Sequence, residues 1–293
     1  MNNIRPGAFY TTKPAQFRAT IARQPDRSLV ARLCRRAVGP SDYVLRILTQ
    51  TIAHGGLLLA WNGAELVGMT NFERCIDGSG WLNMARTDPA WRSRGVATFL
   101  QHQAAAHAKR RGITTLRLWA LSNNKASINA CKKGGFRQVC EAAHVSSNLR
   151  GKKRRSWKYS GSTSQMQLDS ILKSRYLSMM NGYIGHKWHF VKLTKPLLKR
   201  LENEGELYVT EDCALLITKP ETRFGTPQSS LTILTGPTTK ALLGAKNIAG
   251  WLGARVLSSY IPYTPYQLSA AKKLGFRRNP WGKHCLVFEK RIA

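Results

Sequence analysis

The chain has 293 residues, 43% of them hydrophobic, enough for one large globular domain or two ordinary ones with a real core. No apolar run approaches the roughly 20 residues a membrane-crossing helix needs, and the opening Met1-Asn2-Asn3-Ile4-Arg5-Pro6 lacks the apolar stretch of a secretory leader, so a soluble, cytoplasmic protein is expected. The 46 Lys and Arg residues against 15 Asp and Glu give a net charge of +31, which predicts a polyanionic partner: nucleic acid or a ribonucleoprotein first, an acidic protein or anionic membrane surface next, with a general basic bias or a solubility device as the bland alternative.

Six cysteines, at positions 34, 75, 131, 140, 213 and 285, are widely spaced without a C-x-x-C pair, and the seven histidines are scattered, so no metal site is expected. Reduced thiols serving as small buried residues fit this spacing. A strand is predicted from Gln16 to Ile21, and helices from Asp26 to Val38 and from Ser41 to Ala53, the second opened by Ser41-Asp42 as caps. Gly56–Trp61 and Glu65–Phe72 flank an Asn62-Gly63 turn, a hairpin signal, and Asp77-Gly78 turns the chain into a third strand, Gly80–Thr87. A glycine-containing loop, Arg92 to Gly95, then leads into a helix from Val96 to Arg111. A strand Thr114–Leu121 and a helix Lys125–Lys133 follow, ending at Gly135-Phe136. This order predicts an α/β (α+β) fold, a twisted mixed sheet flanked by helices.

Residues 148–161, Asn-Leu-Arg-Gly-Lys-Lys-Arg-Arg-Ser-Trp-Lys-Tyr-Ser-Gly, read as a basic linker between domains at 1–147 and 162–293. Lys152, Lys153, Arg154 and Arg155 could equally contact a phosphate backbone, with Trp157 and Tyr159 for base stacking, or form a solvated linker. Beyond it, strands are expected at Trp188–Leu193, Glu206–Thr210, Ala214–Thr218, Ser230–Thr235, Arg255–Ile261 and His284–Glu289. Helices are expected at Thr194–Asn203, Pro237–Leu252 and Pro265–Leu274. The match of Ala130-Cys131-Lys132-Lys133-Gly134-Gly135-Phe136-Arg137 to Ala270-Ala271-Lys272-Lys273-Leu274-Gly275-Phe276-Arg277, at the same point in a similar element order, predicts a duplicated domain.

The stretch that carries chemistry is Asp88-Pro89-Ala90-Trp91-Arg92-Ser93-Arg94-Gly95-Val96-Ala97, which leaves a strand and opens a helix. A helix N-terminus offers unpaired amides and the positive end of a dipole, which suits a pyrophosphate. Gly95 and Ala97 let the backbone come close, and Arg92 and Arg94 add charge. Arg92, Gly95 and Ala97 resemble the acetyl-CoA signature of the GNAT N-acetyltransferase superfamily. Asn124 to Phe136 resembles a later GNAT motif, in which an Asn opens a helix ending in Gly-Phe. The resemblance covers roughly residues 16–145 and implies the GNAT fold, acetyl-CoA (coenzyme A) as cofactor, and contacts from Arg92, Ser93, Arg94, Gly95, Val96 and Ala97. It also implies a cofactor role for Asn124, which the sequence alone reads as a helix N-cap, and for the backbone amides of Ala85, Arg86 and Thr87 on the splayed strand. Gly80-Trp81-Leu82-Asn83-Met84-Ala85-Arg86 is similar to a GNAT subgroup that includes histidine N-acetyltransferase-like proteins, in which Glu stands where this chain has Asn83. Cys131 occupies the position of the Tyr general acid of many GNAT enzymes, although a buried helix residue is the simpler reading. Glu73 and Asp77 are substitute base candidates, and a water relay is a further option. The second half has Gly236-Pro237 where the signature would recur, without a basic residue, and is expected to lack cofactor.

Two functions follow as expectations. One is an acetyl-CoA-dependent N-acetyltransferase acting on a primary amine of a protein or small molecule. The other is a catalytically weak or inactive GNAT-like protein that binds nucleic acid or a ribonucleoprotein through its basic surface.

Overall fold

The computed structural model describes residues 17–149, 163–210, 212–280 and 284–292. In chain order the elements are β1 (Arg18–Ile21), α1 (Arg27–Ala37), α2 (Val44–Ala53), β2 (Leu57–Asn62), β3 (Glu65–Arg74), β4 (Gly80–Thr87), α3 (Val96–Lys109), β5 (Thr115–Leu121), α4 (Lys125–Lys133) and β6 (Arg137–Asn148). They continue with α5 (Gln165–Leu172), α6 (Arg175–Met179), β7 (Tyr183–His186), β8 (His189–Lys192), α7 (Lys195–Asn203), β9 (Leu207–Val209), β10 (Ala214–Ile217), β11 (Glu221–Arg223) and β12 (Thr226–Thr235). The last are α8 (Thr238–Trp251), β13 (Val256–Pro262), α9 (Pro265–Lys273), β14 (Arg277–Arg278) and β15 (Cys285–Arg291). The mixed α/β class with a mixed sheet and flanking helices is therefore as expected. No helix among the described residues is long and apolar enough to cross a membrane.

The chain forms two compact units. One holds the described part of Met1–Asn71 together with Met84–Gln103; the other holds Phe72–Asn83 and the described part of Ala104–Ala293. This division departs from the linear boundary at 148–161, and the chain crosses it within β3, β4 and α3. Most of the basic linker, including Lys152, Lys153, Arg154, Arg155, Trp157 and Tyr159, lies outside the described residues.

In the first unit β1, β2 and β3 form an antiparallel meander. The two-residue turn is Gly63-Ala64, one residue later than expected, with Asn62 paired to Glu65 and Gly63 at φ +56°. Val30, Leu33 and Cys34 of α1 pack with Val44, Leu48 and Ile52 of α2 against Leu57, Leu59, Leu66 and Met69. Asp42 caps α2 from inside this core. Its carboxylate accepts the Val44 amide at 3.1 Å and a two-pronged contact from Arg86, at 2.8 Å from Nε and 2.7 Å from Nη2. Burial pushes the Asp42 carboxyl up, but the Arg86 hydrogen bonds and charge outweigh it and hold the group below its ordinary range.

In the second unit the strand order is β4-β5-β15-β6-β13-β12-β10-β9. The last strand of the chain inserts between β5 and β6, antiparallel to both. Strand β6, which the sequence reading omitted, lies between β15 and β13. Alternate residues feed two cores, one on each face. Ala214, Leu216, Tyr260, Cys140 and Ala142 face α5, α6, α7 and the β7–β8 hairpin, whereas Leu215, Ile217, Leu257, Ile261, Ala143 and Val145 face α8 and α9. Burial on both sides explains why β10 reads as an unbroken apolar run, Ala-Leu-Leu-Ile.

The matched segments end their helices identically. Phe136 and Phe276 donate their amides to Cys131 O and Ala271 O, each at 3.0 Å, while Gly135 (φ +80°) and Gly275 (φ +75°) donate to Lys132 O and Lys272 O. Lys290 Nζ caps Gly134 O at 2.8 Å, and Lys246 Nζ caps Leu274 O at 3.0 Å. All six cysteines are buried thiols, and burial first of all pushes those of Cys34, Cys75, Cys140 and Cys285 up to about 12.

A buried ion cluster ties the β3–β4 turn to the C-terminal strand. Arg117 of β5, 6% exposed at its side chain, reaches Asp77 at 2.6 Å and Glu289 of β15 at 2.7 Å. Tyr183 donates to Glu289 at 2.8 Å. Burial raises the Asp77 carboxyl, but the Ser79 hydrogen bond and the Arg117 charge dominate and hold it below its ordinary range. Breaking one partner of a buried pair leaves a bare charge, so Arg117→Met should destabilise the second unit by about 3–5 kcal/mol in urea titrations. Because the Asp77 carboxyl is depressed, its contribution is present above about pH 4 and lost as pH falls further. Asp77→Asn should flatten that acid-side decline.

Candidate functional site

The loop that follows β4 is built in the first unit. Asp88 is its anchor: it is buried, accepts the Ala90 amide at 3.0 Å and the Arg36 side chain at 2.5 Å, and donates its own amide to Val67 O at 3.0 Å. A single 3-10 turn, Pro89–Trp91, follows. Ser93 then takes φ +62° and Gly95 φ +85°, two left-handed residues around Arg94. A left-handed serine is a costly conformation, and alternating backbone handedness turns successive N–H groups toward one concavity.

The first amide used inside α3 is that of Phe99, donated to Gly95 O at 2.9 Å. The amides ahead of it at the start of α3 have no partner within the helix. Arg92, Ser93, Arg94 and Gly95 are exposed, and a Cβ built on Gly95 meets nothing within 4 Å. Val96, by contrast, is buried. The helix can seat there because β3 has no side chain beneath it: a Cβ on Gly68 would collide with Val96 Cγ1 and lie 3.3 Å from Leu100 Cδ1. Gly68 was missed in the sequence, although an isolated glycine inside a strand is a signal of such a close approach.

The arginines divide their work differently from the expectation. Arg92 donates to Ala37 O at the end of α1, at 2.9 Å, Arg94 stacks on Trp91 at 5.2 Å, and the Arg86 side chain is committed to Asp42. Ala85, Arg86 and Thr87 therefore contribute to any ligand through the backbone. They follow Met84, a left-handed residue at φ +53° that breaks the regular strand, and the β4–β5 ladder itself runs only through Gly80↔Leu116 and Trp81↔Arg117.

The corresponding loop of the second half is filled. A Cβ on Gly236 (φ +98°) would collide with Asp212 O and lie 2.5 Å from Cys213 Sγ, and Asp212 forms an ion pair with Lys240 of α8. Proline supplies the N-cap of α8. The proline offers no amide, so this helix start has one donor fewer.

Four expected acid–base candidates lie in the second unit. Glu73 and Asn83 meet: the Asn83 amide donates to Glu73 Oε1 at 2.8 Å. The other carboxylate oxygen, Oε2, is 2.9 Å from Nε2 of His189 on β8, a partner that sequence reasoning missed. Asp77 accepts hydrogen bonds from Arg117 and Ser79. Cys131 is only 1% exposed on α4. Asn124 accepts the Ser127 amide at 3.0 Å and so acts as the N-cap of α4.

An open turn between a broken strand and a helix is an arrangement that suits a pyrophosphate. Residues 27–136 match the sequence model of the Acetyltransferase (GNAT) family. GNAT acetyltransferases use acetyl-CoA. The fold is similar to a GCN5-related N-acetyltransferase from Sphaerobacter thermophilus, with a TM-score of 0.55 at 14% identity over 96% of this chain and 97% of that one. It is also similar to a GCN5-related glucosamine N-acetyltransferase region of a fungal multi-domain GH3 beta-N-acetylglucosaminidase, with a TM-score of 0.54 at 13% identity over 94% of this chain and 38% of that one. At these identities the likeness is one of fold. No curated protein matches the sequence.

The two glycines should differ in what they do to binding. Gly95→Val is expected to remove coenzyme A binding in calorimetry and, because Gly95 is left-handed at φ +85°, to cost about 1–3 kcal/mol in urea titrations as well. Gly236→Ala should leave binding intact and cost about 2 kcal/mol through overpacking. The reverse pattern would mean that the loops have been assigned the wrong way round.

Proposed function

We propose that the protein is an acetyl-CoA-dependent N-acyltransferase that moves the acyl group to a primary amine of a protein or small molecule by direct attack on the thioester. The observation that supports this most strongly is the run of amides from Ser93 to Thr98 around left-handed Ser93 and Gly95, which suits a pyrophosphate. In this reading the loop amides, Val96 and Ala97 included, hold the phosphates. The backbone of Ala85, Arg86 and Thr87 holds the pantetheine arm and offers a donor to the developing oxyanion, worth roughly 3 kcal/mol for one well-aimed amide. Asn124 contributes through the helix start it caps.

We infer further that residues 162–293 are a GNAT-like domain without cofactor, paired with a catalytic domain at 1–147. The matching helix ends at Gly135-Phe136 and Gly275-Phe276 support duplication, and Pro237, which offers no amide at the start of α8, supports loss of the cofactor site.

Coenzyme A titrated calorimetrically should bind one site per chain. Arg92→Glu, which replaces a loop cation with an anion, should weaken it by about tenfold or more. Unchanged affinity would remove Arg92 from the site. For Cys131, whose side chain is enclosed in α4, Cys131→Ala should leave turnover nearly intact and cost on the order of 1 kcal/mol of stability. A fall in turnover of about 10²-fold at constant cofactor affinity would instead give it the general-acid role.

The net charge of +31 supports a second reading, in which the basic surface also holds nucleic acid or a ribonucleoprotein. Retention on RNA or DNA should then fall steeply with salt, and changing Lys152, Lys153, Arg154 and Arg155 to Gln should flatten the slope. Absence of salt-sensitive retention at low ionic strength would remove this reading.

A further inference from the structure

We propose that the end of α9 and the strand β14 form a contact surface for single-stranded nucleic acid, with Lys272, Lys273, Arg277 and Arg278 on the phosphates and Tyr266 stacked against a base. This rests on the nucleic-acid reading and gives it a place within the second unit. The first observation is how charge is divided. From Thr222 to Phe288 the sequence has no Asp or Glu, against nine Lys and Arg. The carboxylates of α5 and α7, on the other face of the sheet, are each neutralised by a neighbour: Asp169 by Lys195, Glu202 by Lys199 and Glu204 by Arg200. Among the described residues no carboxylate pairs with Lys272, Lys273, Arg277 or Arg278. The one that enters their neighbourhood is Glu141 of β6, 3.4 Å from His284, whose ring stacks on Tyr263 at 3.9 Å.

The second observation is how the cations are gathered. Phe276 donates its amide back to Ala271 O and Gly275 donates to Lys272 O, each at 3.0 Å, so β14 starts against the last turn of α9. Strand β14 then pairs with β6 through Arg277↔Ser146 and Arg278↔Val145, which fixes the arginines there. All four basic residues are exposed. The dipole of a helix C-terminus favours the two lysines, but it does not call for two arginines just beyond them; like charges gathered this way repel, and an anion among them relieves that repulsion. Arg278 lies over the Tyr263 ring at 5.6 Å, which steadies its planar guanidinium for donation to phosphate oxygens. Tyr266, 65% exposed, stands two turns before Lys273 on the same face of α9. An exposed ring beside a row of cations suits a single strand, with a base on the ring and the backbone on the charges. Exposed Ser269 lies between the two, so this face has no apolar stripe to enter a bilayer.

The test is fluorescence anisotropy of a labelled oligouridylate with the full chain across a salt series, beside the matching duplex and phosphatidylserine vesicles. Changing Lys272, Lys273, Arg277 and Arg278 together to Gln should weaken binding by about tenfold or more at low salt. It should also flatten the log–log salt slope by about 3, since each phosphate contact on a single strand adds roughly 0.7. Tyr266→Ala should weaken binding by about fivefold or more at an unchanged slope, because a stacked base releases no counterion. These side chains are exposed, so urea midpoints should stay near that of the wild type. Salt-sensitive binding of the wild-type chain to the vesicles alone, or to none of the three probes, would overturn the nucleic-acid reading and the surface with it. Three results would overturn the surface alone: wild-type affinity and slope in the fourfold variant, wild-type affinity in Tyr266→Ala, or duplex bound as tightly as the single strand.

Discussion

The start of α3 has to come close to β3 and yet keep its first amides uncovered. Those two demands pull against each other, because a helix that packs tightly normally buries its end, and a buried end needs partners for its N–H groups. The chain meets them with residues that lack bulk or accept unusual backbone angles. Gly68 removes the side chain that would lift the helix, Val96 fills the space, and left-handed Ser93 and Gly95 turn the preceding amides outward. Asp88, locked by Ala90 and Arg36, holds the turn in place from below.

The start of α8 is arranged differently. Gly236 remains, but for packing: its missing side chain makes room for Asp212 and Cys213, and a proline replaces a donor at the helix start. What the second half contributes is structural and chemical support. Its last strand, β15, completes the sheet between β5 and β6, and Glu289 on that strand neutralises Arg117. Its β8 strand delivers His189 to Glu73 and Phe190 to the core around Trp81. The two sequence halves therefore share one sheet and one charged cluster within the second unit, and no cut near residue 148 would leave both intact.

Much of the nucleotide-loop architecture was legible because it depends on local signals. The β2–β3 turn, the Asp77-Gly78 turn and the start of α3 at Val96 follow from glycine placement and hydrophobic runs, which operate over a few residues. What escaped depended on partners far along the chain. Strand β6 carries small and polar residues, such as Ser146 and Ser147, and gains its place from β13 and β15. The short helices α5 and α6 and the strand β7 are held by tertiary packing, with little periodicity of their own. His189 sits in a segment correctly read as a strand, but a lone histidine between Trp188 and Phe190 carries no sign that Glu73 is its partner. The arginines illustrate the same limit: the sequence assigns Arg92 and Arg94 to the phosphates and has no sign of their contacts with Ala37 O and Trp91.

The central claim is that one helix start of the two, at Ser93–Ala97, is built for a pyrophosphate and the other, at Gly236–Thr238, is not. A crystal structure grown with coenzyme A tests it most directly. The account predicts density for the pyrophosphate within hydrogen-bond reach of the amides from Ser93 to Thr98 and none at the start of α8. Pyrophosphate density at Gly236–Thr238, or a coenzyme bound away from the Ser93–Ala97 turn, would contradict it.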